Sequence, residues 1–152
     1  MNDNTVATNK QAFRDYDILQ RYEAGLELKG SEVKSIRDGK VNLKDSFARI
    51  DGGQGFLYNT HISPYAQASY LNVEPTRVRR LLLHKREIKK LDIELAQKGL
   101  TLIPLRLYFN SKGFVKIELA LGKGKKSWDR REDIKRAEVD RKIRQTIKNR
   151  RK

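Results

Sequence analysis

The stretch YDILQRYEAGLEL, residues 16–28, decides the fold class. Tyr16, Ile18, Tyr22, Ala24, Leu26 and Leu28 share one parity, and Asp15, Asp17, Glu23 and Glu27 share the other. Apolar residues recurring every second position, with a polar opposite side, predict a half-buried antiparallel strand. Gly25 within it predicts a bulge or a close backbone approach.

Moving outward, GSEVKSIRDGK follows at residue 30. Ser31 is a candidate cap, Glu32 suits the positive end of a helix dipole, and Gly39 can take a left-handed stop. A short helix is expected over Ser31 to Asp38. Two hairpins come next. SFARI and GFLYNTHI flank Asp51-Gly52-Gly53, a strong turn signal. LIPLRLYFN and GFVKIELAL flank Asn110 to Gly113. In the second pair Ile103, Leu105, Leu107 and Phe109 are expected on one face, as are Val115, Ile117, Leu119 and Leu121. Pro104 cannot donate to a ladder, so its strand is expected to be an edge or to be bulged there. Between the hairpins, Ser63 to Arg80 reads as a loop. HKREIKKLDIELAQKG then reads as a helix with Ile88, Leu91 and Leu95 at helical spacing, a Glu94–Lys98 pair and a stop at Gly99. Several antiparallel strands with helical insertions suit a small closed barrel of the oligonucleotide-binding kind.

The charge narrows the function. The chain has 152 residues, with 34 Lys plus Arg against 19 Asp plus Glu, a net of +15. Residues 123–152 alone hold 14 basic and 5 acidic residues, a net of +9. So large an excess points first to nucleic acid. High charge with little apolar surface predicts a tail disordered when free. Val139, Ile143 and Ile147 nevertheless place a thin stripe on one helical face, so a polyanion can draw the tail into a helix. The other reading is a solvated basic tail that binds nothing in particular. The chain has no cysteine, which excludes disulfides, thiolate metal sites and cysteine nucleophiles. Only two histidines, His61 and His84, are present, and the acids sit in polar or turn contexts, so no catalytic constellation emerges. No apolar run approaches a membrane span. The start, MNDNTVATNK, lacks the pattern of a signal peptide, and a cytoplasmic location is expected.

Four features carry candidate binding chemistry. Glu23, on the polar side of its strand, is either a solvated glutamate or an acceptor for base amino groups and ribose hydroxyls. Arg77, Arg79 and Arg80 form either a phosphate clamp or a mobile charged loop. GKGKK, residues 122–126, lacks phosphate-loop spacing and reads as a basic hinge. Trp128, among Lys125, Lys126, Arg130 and Arg131, is either a base-stacking side chain or an anchor for the root of the tail.

The order of motifs resembles the small protein B family, the bacterial partners of transfer-messenger RNA in ribosome rescue. The resemblance rests on NKQAFRDY at Asn9, YEAGLELKGSEVKSIRDGKVNLKDSFARI at Tyr22, FLYNTHISPY at Phe56 and PTRVRRLLLHKREI at Pro75. It continues through KGLTLIPLRLYFN at Lys98, VKIELALGKGKK at Val115 and WDRRE at Trp128. It implies a mainly β fold: a closed antiparallel oligonucleotide-binding-like barrel over residues 9–122, with flanking short helices. Residues 1–8 are then a flexible N-terminus, and residues 123–152 a basic tail that becomes helical on the ribosome. It implies no enzyme and no cofactor. The barrel is expected to bind the tRNA-like domain of transfer-messenger RNA through Asn9, Glu23 and Leu82, with Lys10, Arg77 and Arg79 on phosphates. The tail is expected in the empty mRNA channel of the small subunit, against 16S rRNA. There Asp129, Arg130 and Arg131, beside Trp128, read the decoding centre. Elongation factor Tu and alanyl-tRNA synthetase are implied as indirect partners through the RNA, and the protein itself as a monomer. Phe13 stands where the family often has Arg, Trp128 where Tyr or His is common, and Arg130 where Lys is common. Two rival classes are a ribosomal protein with a basic tail and a nuclease. The first predicts stoichiometric copurification with ribosomes, the second RNA cleavage with magnesium.

Overall fold

The computed structural model describes residues 4–65, 73–97 and 99–125. Nine strands and three helices lie among them: β1 (Asn4–Thr8), α1 (Lys10–Asp15), β2 (Tyr16–Leu26), α2 (Gly30–Arg37), β3 (Val41–Asn42), β4 (Phe47–Asp51), β5 (Gln54–Tyr58), β6 (His61–Ile62), β7 (Arg79–Leu82), α3 (Lys85–Leu95), β8 (Leu100–Phe109) and β9 (Val115–Gly124). All strand pairs are antiparallel. The order β8-β4-β5-β7-β2-β9 closes into a ring because β9 also pairs with β8. The β4–β8 seam rests on the single pair Ala48–Leu102. This is the expected mainly β, closed, oligonucleotide-binding-like barrel, and β3 and β6 form a small separate sheet.

The barrel core is built by alternation. Tyr22, Ala24 and Leu26 of β2 meet Leu57, Leu81, Leu102 and Leu107, and the β9 row Val115, Ile117, Leu119 and Leu121 faces the same core as expected. Ile36 of α2 and Leu91 of α3 are fully buried in it. Each side chain of this size removes apolar area worth about 1.5–3 kcal/mol from water.

Two bulges modify the expected parity. In β2 the register with β9 shifts between Ile18 and Gln20, and in β8 it shifts between Pro104 and Arg106. A bulge reverses which parity faces inward. Ile103 and Leu105 therefore point away from Leu107, not along with it. They join Ala12 of α1, Ala120, Tyr16 and Ile18 in a second apolar cluster outside the barrel. The expectation for Pro104 is met by the bulge, not by an edge. Gly25 is a close approach: a Cβ there would lie 3.3 Å from Leu82 Cβ.

Three further differences have local causes. Residues 4–8, expected as part of a flexible arm, form β1 against β8, where Asn4 pairs with Phe109 and Thr8 with Arg106. The free edge of a long strand recruits them despite their polar composition. Ser31 does not cap α2. Lys29 holds the cap position, and its backbone N–H donates to Glu32 Oε1 at 2.8 Å. Within the expected loop 63–80, Arg79 and Arg80 begin β7. Both helix stops hold, with Gly39 at φ +75° and Gly99 at φ +88°. The Asp51–Gln54 pair closes the first hairpin across Gly52 and Gly53, both at positive φ, the form that a two-residue turn requires.

Candidate nucleic-acid interface

The two bulges turn one outer face of β8, β9, β2 and β7 into a continuous surface. At one end α1 covers Ile103, Leu105 and Ala120. Next comes a polar row in which Glu23 of β2 is directly opposite Glu118 of β9, itself opposite Arg106 of β8. The row beyond it runs Leu82, Gly25, Lys116, Tyr108 across β7, β2, β9 and β8. Glu23 and Leu82, 59 positions apart in the chain, are thus brought onto one face, two residues apart along the strand direction.

Two carboxylates directly opposite repel. The face resolves this by giving each its own partners. Glu118 takes Arg21 Nη1 at 3.0 Å and Arg106 Nε at 3.3 Å. Glu23 instead accepts a short hydrogen bond from the Tyr108 hydroxyl. Arg106 lies 4.3 Å above the Tyr108 ring centroid and donates to Thr5 Oγ1 at 3.1 Å, which ties β1 into the network. Burial, together with the Glu23 hydrogen bond and charge, pushes the Tyr108 phenol well above its ordinary value. The phenol therefore stays a donor, and its bond fixes the orientation of the exposed Glu23 side chain. Phe13 carries the Arg21 guanidinium 5.9 Å from its ring centroid.

Leu82 is 50% exposed in the middle of this face. Gly25 beside it has no side chain, and Lys116 reaches across, its Nζ 3.7 Å from where a Cβ on Gly25 would sit. Lys10 is exposed in the first turn of α1. Asn9 begins that helix but is itself buried. Its Oδ1 accepts from Ala12 N–H at 3.3 Å and its Nδ2 donates to the Pro104 carbonyl at 3.0 Å. Asn9 thus fastens α1 onto the bulge of β8. Asn9 is expected as an RNA-binding position; the structure gives each of its polar atoms a bond to the scaffold.

The arginine cluster needs correction. The Arg79 side chain is 0% exposed and Glu32 is 3% exposed. Arg79 Nε meets Glu32 Oε2 at 2.7 Å, while its other nitrogens donate to the carbonyls of Thr60 (2.7 Å), Pro75 (2.9 Å) and Arg77 (3.2 Å). Arg77 Nε reaches Glu32 Oε2 at 3.1 Å and its Nη2 reaches Oε1 at 2.5 Å. Burial lowers the Arg79 pKa against the opposing pull of Glu32. For Glu32 burial works upward, yet the hydrogen bonds from Arg77, the Lys29 backbone and Arg79 prevail and hold it below the usual carboxylate range. Arg79 cannot clamp a phosphate, and Arg77 is turned inward onto the same carboxylate. Together they lock α2 to β7 and to the segment before it. Arg80, half exposed and 4.0 Å from Glu27, is the member of the trio on the surface.

Among the described residues every buried side-chain nitrogen and oxygen has a hydrogen-bond partner, and no cluster of potential metal ligands occurs. No described helix is long and apolar enough to cross a membrane. A cleft of about 590 Å3 opens at the β4–β8 seam, lined among others by Phe47, Arg49, Leu100 and Tyr16. The cleft adjoins the α1 end of the outer face through Ala12, Tyr16 and Ile103, and its lining includes neither Glu23 nor Leu82. Trp128, Asp129, Arg130, Arg131, the Val139–Ile143–Ile147 stripe and Lys98 lie outside the described residues.

Sequence reasoning did not single out Tyr108, Arg106, Glu118 or Phe114. Tyr108 lies one position away from the apolar parity of its strand, the only signal the sequence offered.

The comparisons agree with this architecture. The model of the SmpB protein family matches residues 6–149. An SsrA-binding protein of Syntrophobacter fumaroxidans is 57% identical over 146 residues, covering 96% of this chain and 90% of the relative. One from Thermosipho melanesiensis is 54% identical over 143 residues, covering 94% and 97%. A chain in a solved structure described as "tmRNA-SmpB: a journey to the center of the bacterial ribosome" is 51% identical with a TM-score of 0.68, covering 81% of this chain and 85% of that one. Matched by the family model over nearly its whole length and by relatives more than half identical to it, this chain belongs to the SmpB protein family.

Proposed function

We propose that this protein binds transfer-messenger RNA and brings it to stalled ribosomes in trans-translation, as an RNA-binding factor and not an enzyme. The observation that carries this reading is the outer face on which Glu23, held by Tyr108, stands beside exposed Leu82. Support comes from relatives named for SsrA binding and from the likeness to a chain in a tmRNA–SmpB ribosome structure. In this reading the tRNA-like domain docks on that face. Glu23 accepts from a base or a ribose hydroxyl, Leu82 packs on the RNA, and Lys10 meets a phosphate. Asn9 acts through α1, which it anchors, and Arg77 and Arg79 act through the frame that carries β7. Charge accounts for long-range attraction and apolar contact for fit.

The tail completes the function. Its net +9 suits a channel walled by ribosomal RNA. Trp128, Asp129, Arg130 and Arg131 read the decoding centre in place of a codon, and the rest of the tail follows the empty mRNA channel as a helix. Elongation factor Tu and alanyl-tRNA synthetase are reached through the RNA, the protein acts as a monomer, and the work is done in the cytoplasm. Peptidyl transfer belongs to the ribosome, so no cofactor is required.

A chain ending at Lys125 tests the division of labour. It should bind the tRNA-like RNA within a few-fold of the full chain and fail to support tagging on ribosomes lacking mRNA past the decoding site. Full-rate transfer by the truncated chain would reduce the tail to a solubility device. Loss of RNA binding would place the tail in the RNA site.

A further inference from the structure

At the Leu82 end of the outer face a groove of about 400 Å3 opens, lined by Gly25, Leu26, Leu28, Val33, Arg37, Leu82, Gly113, Phe114, Val115 and Lys116. Two of these residues are cationic and none is acidic. Phe114 is 62% exposed, although it follows a strand-to-strand turn that could have buried it or done without it. Its position is fixed: Asn110 Oδ1 accepts from the backbone N–H groups of Lys112 and Phe114, the Phe114 carbonyl accepts from Asn110 N–H, and Gly113 supplies the positive φ. A large exposed aromatic ring is therefore carried on a hydrogen-bonded turn and lines the same groove as apolar Leu82 and the cations Lys116 and Arg37.

The geometry points to a nucleobase subsite: Phe114 and Leu82 sandwich one unpaired base of the bound RNA, and Lys116 and Arg37 hold the phosphates flanking it. An aromatic surface with a cation on either side is the arrangement that takes unstacked bases, because every base has a π-face and every linkage a negative charge. Leu28 and Val33 add apolar surface to the lining, which suits the face of a base. The absence of acids from the lining argues for a polyanion over an apolar protein segment, and continuity through Gly25 with Glu23 makes the groove an extension of one RNA footprint. The inference rests on the proposed RNA-binding face and adds Phe114, Lys116 and Arg37 to it.

The test measures binding of a transcribed tRNA-like fragment of transfer-messenger RNA to the full chain and its variants, together with thermal melting. Phe114→Ala should weaken binding roughly 5- to 100-fold, the usual range for one stacked base. Phe114→Trp should restore it, and neither should alter melting, since the ring is exposed. Lys116→Gln and Arg37→Gln should each lower the salt slope of binding by about one. A 4-thiouridine-substituted fragment should crosslink to the peptide carrying Gly113 to Lys116. Unchanged affinity in Phe114→Ala, with affinity lost in Glu23→Ala, overturns the subsite and leaves the RNA face standing. Unchanged affinity in both variants overturns the RNA face itself. Unchanged RNA affinity in Phe114→Ala with loss of tagging on the ribosome overturns the subsite in favour of a protein contact.

Discussion

Replacing Arg79 separates a scaffold arginine from a phosphate contact. Arg79→Ala removes one of the two guanidinium groups on the buried Glu32 and the side-chain donor to the carbonyls of Thr60 and Pro75, of which Pro75 keeps the Ile62 N–H at 3.0 Å. Breaking a buried ion pair from one side costs about 3–5 kcal/mol, because the remaining charge stays desolvated. Arg77 and the Lys29 amide still hold Glu32, which favours the lower end of that range; the loss of the Arg79 donor to the Thr60 carbonyl favours the upper end. Against a total stability of about 5–15 kcal/mol this is a large fraction, and it corresponds to a fall in Tm of roughly 10–20 °C. Circular dichroism melts and urea titrations measure it. At a temperature where the variant is still folded, its RNA affinity should stay within about twofold of the parent and its salt slope should not change. The acid limb supplies a second reading. The folded pKa of Glu32 lies below its unfolded value, so its contribution is fully present above about pH 4.3 and is lost as pH falls through the folded pKa. Glu32→Gln should lack that component of acid destabilisation. A variant that melts like the parent but binds RNA with a shallower salt slope would refute the reasoning and return Arg79 to the phosphate backbone.

Two other substitutions probe the same surface. Tyr108→Phe removes the donor to Glu23 at almost constant volume; RNA affinity should fall by about 2- to 10-fold, the effect of one hydrogen bond, with little change in melting. Asn9→Ala removes the side-chain cap of α1 and its bond to Pro104, and should cost about 0.5–2 kcal/mol in denaturant titrations. A loss of RNA binding in that variant without a loss of stability would instead make Asn9 a direct contact.

Much of the barrel was legible because its strands announce themselves by period two. The Tyr22–Ala24–Leu26 and Val115–Leu121 rows could be assigned to the core from their spacing, and the turns at Gly52-Gly53 and Gly113 from composition. The bulges were only half legible. Pro104 signals a break in pairing, but nothing in YDILQ marks the shift after Ile18, so Tyr16 and Ile18 were grouped with a core they do not enter. β1 was missed because NTVAT has no apolar periodicity and exists only by virtue of the β8 edge it joins. The site was legible where a side chain keeps its default state, as with exposed Glu23 and the cations of the tail. It was misread where tertiary structure overrides that default. An arginine belongs at the surface unless a buried carboxylate and a ring of carbonyls await it, and those partners of Arg79 are spread over residues 32 to 77. Tyr108 was invisible for the same reason, since its meaning depends on a glutamate 85 positions earlier in the chain.

The central claim is that one outer face of the barrel, centred on Glu23 and Leu82, binds the tRNA-like part of transfer-messenger RNA. Its most direct test is the equilibrium affinity of that RNA fragment for the parent and for Glu23→Ala and Leu82→Ala, measured at fixed salt and alongside thermal melting. Both side chains are exposed, so both variants should melt close to the parent, and each should bind the RNA about 5- to 100-fold more weakly, the equivalent of about 1–3 kcal/mol. Parent-like affinity in both variants, with folding intact, would contradict the account and move the RNA to another side of the barrel.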